Sequence, residues 1–119
     1  MIFENKYHEL RYNDLMSRMK KNDCYHRAVA YLMALADLLP EDVFDFERDV
    51  IKHAGLNKGW QTSSTRKTTR LMYNLWNGWA YESASDDAVS LYYTVDNIFD
   101  NYQYAPYFFE AVRIRYELD

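Results

Sequence analysis

Cys24-Tyr-His-Arg-Ala-Val-Ala-Tyr-Leu-Met-Ala-Leu-Ala-Asp-Leu38 is the stretch that decides the fold. Ala28, Val29, Leu32, Leu35, Ala36 and Leu39 recur at i, i+3, i+4 and i+7, the spacing that gathers side chains on one face of an α-helix. Asn22 and Asp23 precede it as a stop and an N-cap, because a short polar side chain can accept from the free amides of a first turn. Upstream, Asn5 caps a helix running to about Lys21, with Leu10, Leu15, Met16 and Met19 toward the core and Lys20 and Lys21 at the negative end of its dipole. Downstream, Pro40 cannot extend a helix but suits the first turn of a new one, with Glu41 and Asp42 at its positive end. A helix from Pro40 to about Ala54 is expected, docking Val43, Phe44, Val50 and Ile51, with Gly55 as its C′ residue.

Residues 55–64 predict a loop, with Gly59 as a second flexible point before Trp60. Ser63, Ser64 or Thr65 then opens a helix to about Tyr81 that turns Leu71, Met72, Leu75, Trp76 and Trp79 inward, although Asn77 and Gly78 leave its end open. Ser85, Asp86 and Asp87 signal another start, after which Ala88, Leu91, Tyr92, Val95, Ile98, Phe99 and Tyr102 repeat with helical spacing. Pro106 opens a last helix carrying Phe108, Ala111, Val112 and Ile114. With only 3 Gly and 2 Pro, turn residues are too few for an all-β fold. The expectation is all-α: a compact bundle of five to six helices forming a single domain over residues 1–119, without repeat, linker or low-complexity segment.

A chain of 119 residues can bury a core without disulfides or a structural metal. Cys24 is the only cysteine, and the start MIFENKYHEL has neither a basic region nor an apolar run of the secretory kind. Apolar stretches break well before the roughly 20 residues that a bilayer span needs. These readings predict a cytoplasmic protein with no membrane association.

Charge is segregated. Residues 1–49 sum to −3, residues 50–81 to +5 and residues 82–119 to −6, within a net charge of −4. The middle window has no carboxylate at all and holds Lys52, Lys58, Arg66, Lys67 and Arg70 beside Trp60, Trp76 and Trp79. Its sharpest part is Gln61-Thr-Ser-Ser-Thr-Arg-Lys-Thr-Thr-Arg70, where hydroxyls and cations meet a helix start whose free amides already favour negative charge. Arg66 and Lys67 there oppose the helix dipole, a penalty of a few tenths of a kcal/mol that a phosphate or carboxylate would remove. Two readings stay open. The cations pair with the acidic run from Asp37 to Asp49, or Lys58, Trp60, Ser64, Thr65, Arg66, Lys67 and Arg70 hold an external anion or nucleic acid. No GxxxxGK[ST] frame supports a catalytic phosphate site.

The C-terminal part offers a different surface. Asp86, Asp87, Asp96 and Asp100 lie among Tyr93, Tyr102 and Tyr104, and carboxylates spaced along helices beside tyrosines can imitate a phosphate array. Ordinary solvated helix faces are equally acidic, and free duplex DNA is a poor partner for them. Trp60 is either a lid over the bundle or an anchor for a partner. Cys24, His8, His26 and His53 lack metal-ligand spacing and form no nucleophile–base signature, so no metal, cofactor or catalytic residue is expected. Glu47, Asp96 and Glu110 are acids that burial could perturb, but no spacing marks them as an acid–base pair.

Four segments carry a resemblance: Arg18-Met-Lys-Lys-Asn-Asp-Cys-Tyr-His26, Gly55-Leu-Asn-Lys-Gly-Trp-Gln-Thr62, Arg66-Lys-Thr-Thr-Arg70 and Asn74-Leu-Trp-Asn-Gly78. Together they resemble a family of short helical proteins of unknown function from Gram-positive bacteria and their phages and integrative elements. The resemblance transfers no catalytic residues. It implies a mobile-element accessory protein, for which inhibition of a host defence nuclease, anti-CRISPR activity included, is one implied role. The expected function is thus a non-enzymatic protein that binds a protein partner, such as a nucleic-acid-processing defence complex, through Asp86, Asp87, Tyr93, Asp96, Asp100, Tyr102 and Tyr104. The alternative is a nucleic-acid or phosphate-ligand module using the basic helix start at 58–70. A homodimer is compatible with either.

Overall fold

Asn5 opens the first helix as its sequence predicts, its Oδ1 accepting from the His8 amide at 2.8 Å. The computed structural model describes residues 1–100 and 103–118. Helix α1 spans Lys6–Arg18 and turns His8, Tyr12 and Leu15 inward. Leu10, expected in the core, is instead 56% exposed. Positions 8, 12 and 15 form one helical stripe, and Leu10 stands about 200° from His8 around the axis. His8 sits wholly inside, with Nδ1 accepting from the Glu4 amide at 3.1 Å and Nε2 donating to the Tyr31 carbonyl at 2.9 Å. One ring nitrogen accepts and the other donates, so the imidazole is neutral.

Helix α2, Cys24–Leu35, is the centre of the molecule, buried at every position from Ala28 to Leu35. Sequence spacing assigns it one apolar face, but α1, α4 and α6 all pack against it, so Ala30, Tyr31, Met33 and Ala34 are covered as well. Asp23 caps it, accepting from the His26 amide at 3.0 Å. His26 then bridges two carboxylates, Nδ1 to Asp23 and Nε2 to Asp49, each at 2.7 Å. These two contacts tie the start of α2 to the next segment. The helix ends where Asp37 turns left-handed at φ 53°.

The expected helix from Pro40 to Ala54 is largely absent. Pro40 does start α3, but it stops at Val43 after one turn. A short antiparallel hairpin follows, β1 Phe44–Asp45 and β2 Val50–Ile51, with Phe44 opposite Ile51. The Asp45 carboxylate accepts from the Glu47 and Arg48 amides at 3.1 and 2.9 Å, which offers the backbone a turn in place of a helix. Asp49 closes the turn at φ 62°. Aromatic and β-branched residues at 44, 50 and 51 fit the extended backbone on either side. A 3₁₀ turn, His53–Asn57, comes next, and here Gly55 is required by close approach: a Cβ would meet the Asp42 carbonyl oxygen at 2.2 Å.

Helix α4, Ser63–Asn77, is capped by Thr62 in a capping box with Thr65. It ends at Gly78, which adopts φ 79°, rather than continuing to Tyr81. Thr68, Thr69, Leu71, Met72, Tyr73 and Leu75 are buried, and Trp76 and Trp79 pack half-buried against the core. The expected long helix from Ser85 to Tyr102 does not form among the described residues. Asp86 Oδ2 instead accepts from the amides of Glu82 and Ser83, Ser90 Oγ accepts from the Tyr92 amide, and only a 3₁₀ turn, Leu91–Tyr93, and a one-turn helix α5, Val95–Ile98, appear. Helix α6, Ala105–Tyr116, closes the bundle with Phe108, Glu110 and Ala111 buried. Of the three acids weighed for burial, Glu110 is inside, where it accepts from the Ile2 amide at 2.8 Å, while Glu47 and Asp96 are exposed. The fold is therefore all-α, with six α-helices among the described residues and a Cα radius of gyration of 13.2 Å.

Candidate functional site

The carboxylate-free window and the acidic segment after it meet along α4. On α4, Ser63, Arg66, Lys67 and Arg70 occupy successive turns. Tyr92 and Asn97 face them from residues 91–97, and the six together line a cleft of about 250 Å³. Asn97 is fixed by its own Nδ2, which donates to the Leu91 carbonyl and to Thr94 Oγ1, both at 2.8 Å.

The three cations of the cleft have different partners. Arg70 forms a fork with Glu82, Nε to Oε2 at 3.0 Å and Nη2 to Oε1 at 2.6 Å, and its guanidinium lies 4.8 Å from the Tyr92 ring centroid. Lys67 donates to the main-chain carbonyl of Asp100, a neutral acceptor. Arg66 has no ion pair among the described residues. The run from Asp37 to Asp49 is engaged elsewhere: Asp37 with Arg11, Glu41 with Arg18, Asp49 with His26, and Asp42 with the Trp60 indole. The basic turn thus does not pair with that run. Its carboxylate partner is Glu82.

Other residues of the basic stretch lie outside the cleft lining. Trp60 donates from Nε1 to Asp42 Oδ2 at 2.8 Å and packs half-buried on the core, as a lid would. Thr65 is taken up by the capping box, and the Ser64 carbonyl accepts from Thr68 Oγ1 at 3.2 Å. Lys58 is exposed. Lys52 donates to the Glu41 carbonyl at 2.6 Å and belongs to the hairpin region.

Much of the 78–98 segment faces solvent. Asp86, Asp87, Asp96 and Asp100 are all exposed. Asp86 also takes a hydrogen bond from Ser83 Oγ at 3.0 Å, so its carboxylate organises its own turn. Tyr93 is half-buried, its hydroxyl sealed and without a hydrogen-bond partner among the described residues. Burial pushes that hydroxyl's pKa up, and the Glu82 carboxylate adds to the rise while Arg70 opposes it. Tyr104 is half-buried, its ring 6.2 Å from that of Phe108. Tyr102 lies outside the described residues.

The segment also exposes large apolar side chains. Val89 is 64% exposed, Leu91 78%, Tyr92 57% and Val95 70%. Beside them runs a shallow groove of about 260 Å³ lined by Asn74, Ala80, Val89, Ser90, Leu91, Tyr93 and Thr94. Sequence reading placed Leu91, Tyr92 and Val95 on the buried stripe of a helix and therefore missed them as surface. Tyr92 and Asn97 were missed as walls of the cleft because nothing local ties them to residues 63–70. Ser63 was within reach, as a neighbour of the predicted Ser64 and Thr65.

Among the described residues no group of three or more His, Cys, Asp and Glu is placed to hold a metal ion, and no helix is long and apolar enough to cross a membrane. No curated protein and no solved structure matches the chain. A family model does match, over residues 1–119, and its description is a family of unknown function, DUF6075. The chain belongs to that family.

Proposed function

We propose that this chain is a non-enzymatic binding protein whose partner is another protein, docked on the outer side of residues 86–96. The observation that carries the reading is the exposure of Val89, Leu91, Tyr92 and Val95 within seven consecutive residues. Single exposed apolar side chains are ordinary, but a cluster rimmed by charge is the usual mark of an interaction surface. Asp86, Asp87 and Asp96 are exposed in the same stretch, which favours a partner with basic groups beside an apolar centre. A protein surface built to hold nucleic acid has that basic character. The resemblance to proteins of phages and integrative elements supports the finer reading, an inhibitor of a host defence nuclease of the anti-CRISPR kind.

Leu91 and Val95 bury little, so replacing both by Ser alters folding stability by no more than about 0.5 kcal/mol each. As central contacts they cost about 2 kcal/mol or more of binding energy when truncated. The test expresses the protein in cells whose CRISPR nuclease restricts a phage and scores plaques. Protection by the parent chain, lost in Leu91→Ser/Val95→Ser while the circular dichroism spectrum is unchanged, supports the proposal. Protection retained by the double variant rejects this surface. An absence of both protection and binding to purified effector complexes rejects the nuclease partner.

A further inference from the structure

We infer that the cleft between α4 and residues 91–97 is a second binding site, adjoining the outer surface at Tyr92, and that it takes the phosphate group of a nucleotide or of a nucleic-acid strand. Charge balance carries the argument first. Arg66, Lys67 and Arg70 line the cleft, and Glu82, on Arg70, is the one carboxylate paired with any of the three among the described residues. Among the described residues Lys67 is bonded to a neutral carbonyl and Arg66 has no ion-pair partner. Two positive charges of the cleft are left without a carboxylate among the described residues, in a protein whose net charge is −4. A phosphate monoester carries close to the opposite amount, and two successive phosphodiesters of a strand carry it between them.

Shape points the same way. The cleft of about 250 Å³ is smaller than the roughly 300 to 1,000 Å³ of pockets that enclose a whole drug-sized ligand. It admits a phosphate and leaves the remainder of the ligand outside. At its rim Tyr92 is 57% exposed, and an exposed aromatic face is a stacking platform for a nucleobase. The Glu82 fork engages Nε and Nη2 of Arg70 and fixes the plane of the guanidinium. The donor set is thereby organised before a ligand arrives.

The experiment is a titration of the ¹⁵N-labelled protein at low salt with inorganic phosphate, with AMP and with a short oligothymidylate, followed by amide chemical shifts. Saturable shifts confined to residues 63–70 and 91–97 are expected, with affinity falling at least about tenfold in Arg66→Gln, the loss of one charge-assisted contact. Lys58→Gln, outside the cleft, leaves affinity unchanged. Tighter, strongly salt-dependent binding of the oligonucleotide than of AMP identifies a strand as the source of the phosphate, and equal affinity identifies a free nucleotide. The site is overturned by non-saturating shifts in all three arms, by shifts spread equally over Lys20, Lys21 and Lys58, or by undiminished binding in Arg66→Gln. Leu91→Ser/Val95→Ser, which removes the outer surface, retains the titration, so the two sites succeed or fail independently.

Discussion

His8 is 1% exposed and held neutral by one accepted and one donated hydrogen bond. Burial lowers its pKa below the ordinary 6.5, and the Tyr31 carbonyl and the Glu4 carboxylate oppose that shift only in part. A base whose folded pKa lies below its unfolded value contributes its full stability above pH 6.5. That contribution is lost as the pH falls from 6.5 toward the folded value, because the unfolded chain takes up the proton first. The urea midpoint is expected to drop between pH 7 and pH 5, and His8→Gln is expected to flatten that drop. A slope unchanged by the substitution would assign it to other groups, His53 among them, whose pKa burial also lowers. The Glu41 carboxyl, held low chiefly by its bond to Arg18, acts only in more acidic solution. None of this was visible in the sequence, where His8 is one of three scattered histidines. Its role follows from Asn5, which caps α1 at a register that aims residue 8 at α2.

At the scale of elements, α4 and the segment it holds differ in how they are anchored. Helix α4 buries six residues, whereas between Gly78 and Asp100 only Ile98 is buried. Apart from Trp79 and Phe99, which pack half-buried on the core, that segment is held largely by polar and cation–ring contacts, among them the Arg70–Glu82 fork, the Arg70–Tyr92 contact and the Lys67–Asp100 bond. Hydrogen exchange in residues 79–97 is therefore expected through local opening, and exchange in α2 only through global unfolding. Glu82→Gln should weaken the fork by on the order of 1 kcal/mol and speed exchange in 91–98 while leaving α2 unchanged. Equal acceleration in α2 would mean that the segment is part of the global unit. The same contrast explains what was legible. Helices α1, α2, α4 and α6 were readable because an apolar stripe coincides with a cap or a proline. Residues 40–54 and 85–100 carry apolar residues at helical intervals too, but Asp45, Asp86 and Ser90 divert the amides that a helix needs. Periodicity counts side chains and is blind to that competition. The α4 half of the cleft was legible because it is local, and the Tyr92–Asn97 half was not, because only the turn after Gly78 brings it back.

Across the whole molecule, stability is concentrated in α2. Leu32 and Met33 are fully buried there, and truncating such a side chain to alanine costs about 2 to 5 kcal/mol. A domain of this size is stable by about 5 to 15 kcal/mol. Leu32→Ala is therefore expected to lower the urea midpoint severely, while Leu91→Ala, 78% exposed in the native state, shifts it by no more than about 0.5 kcal/mol. Comparable losses from both would contradict the assignment of residues 89–95 to the surface. Tyr92 and Asn97 line the cationic cleft, while Leu91, Tyr92 and Val95 of the same short segment are among the exposed apolar side chains. For the proposed cleft ligand and the proposed outer partner, any factor by which one changed the affinity of the other would be returned in equal measure, so a coupling found in one direction would make each an effector of the other.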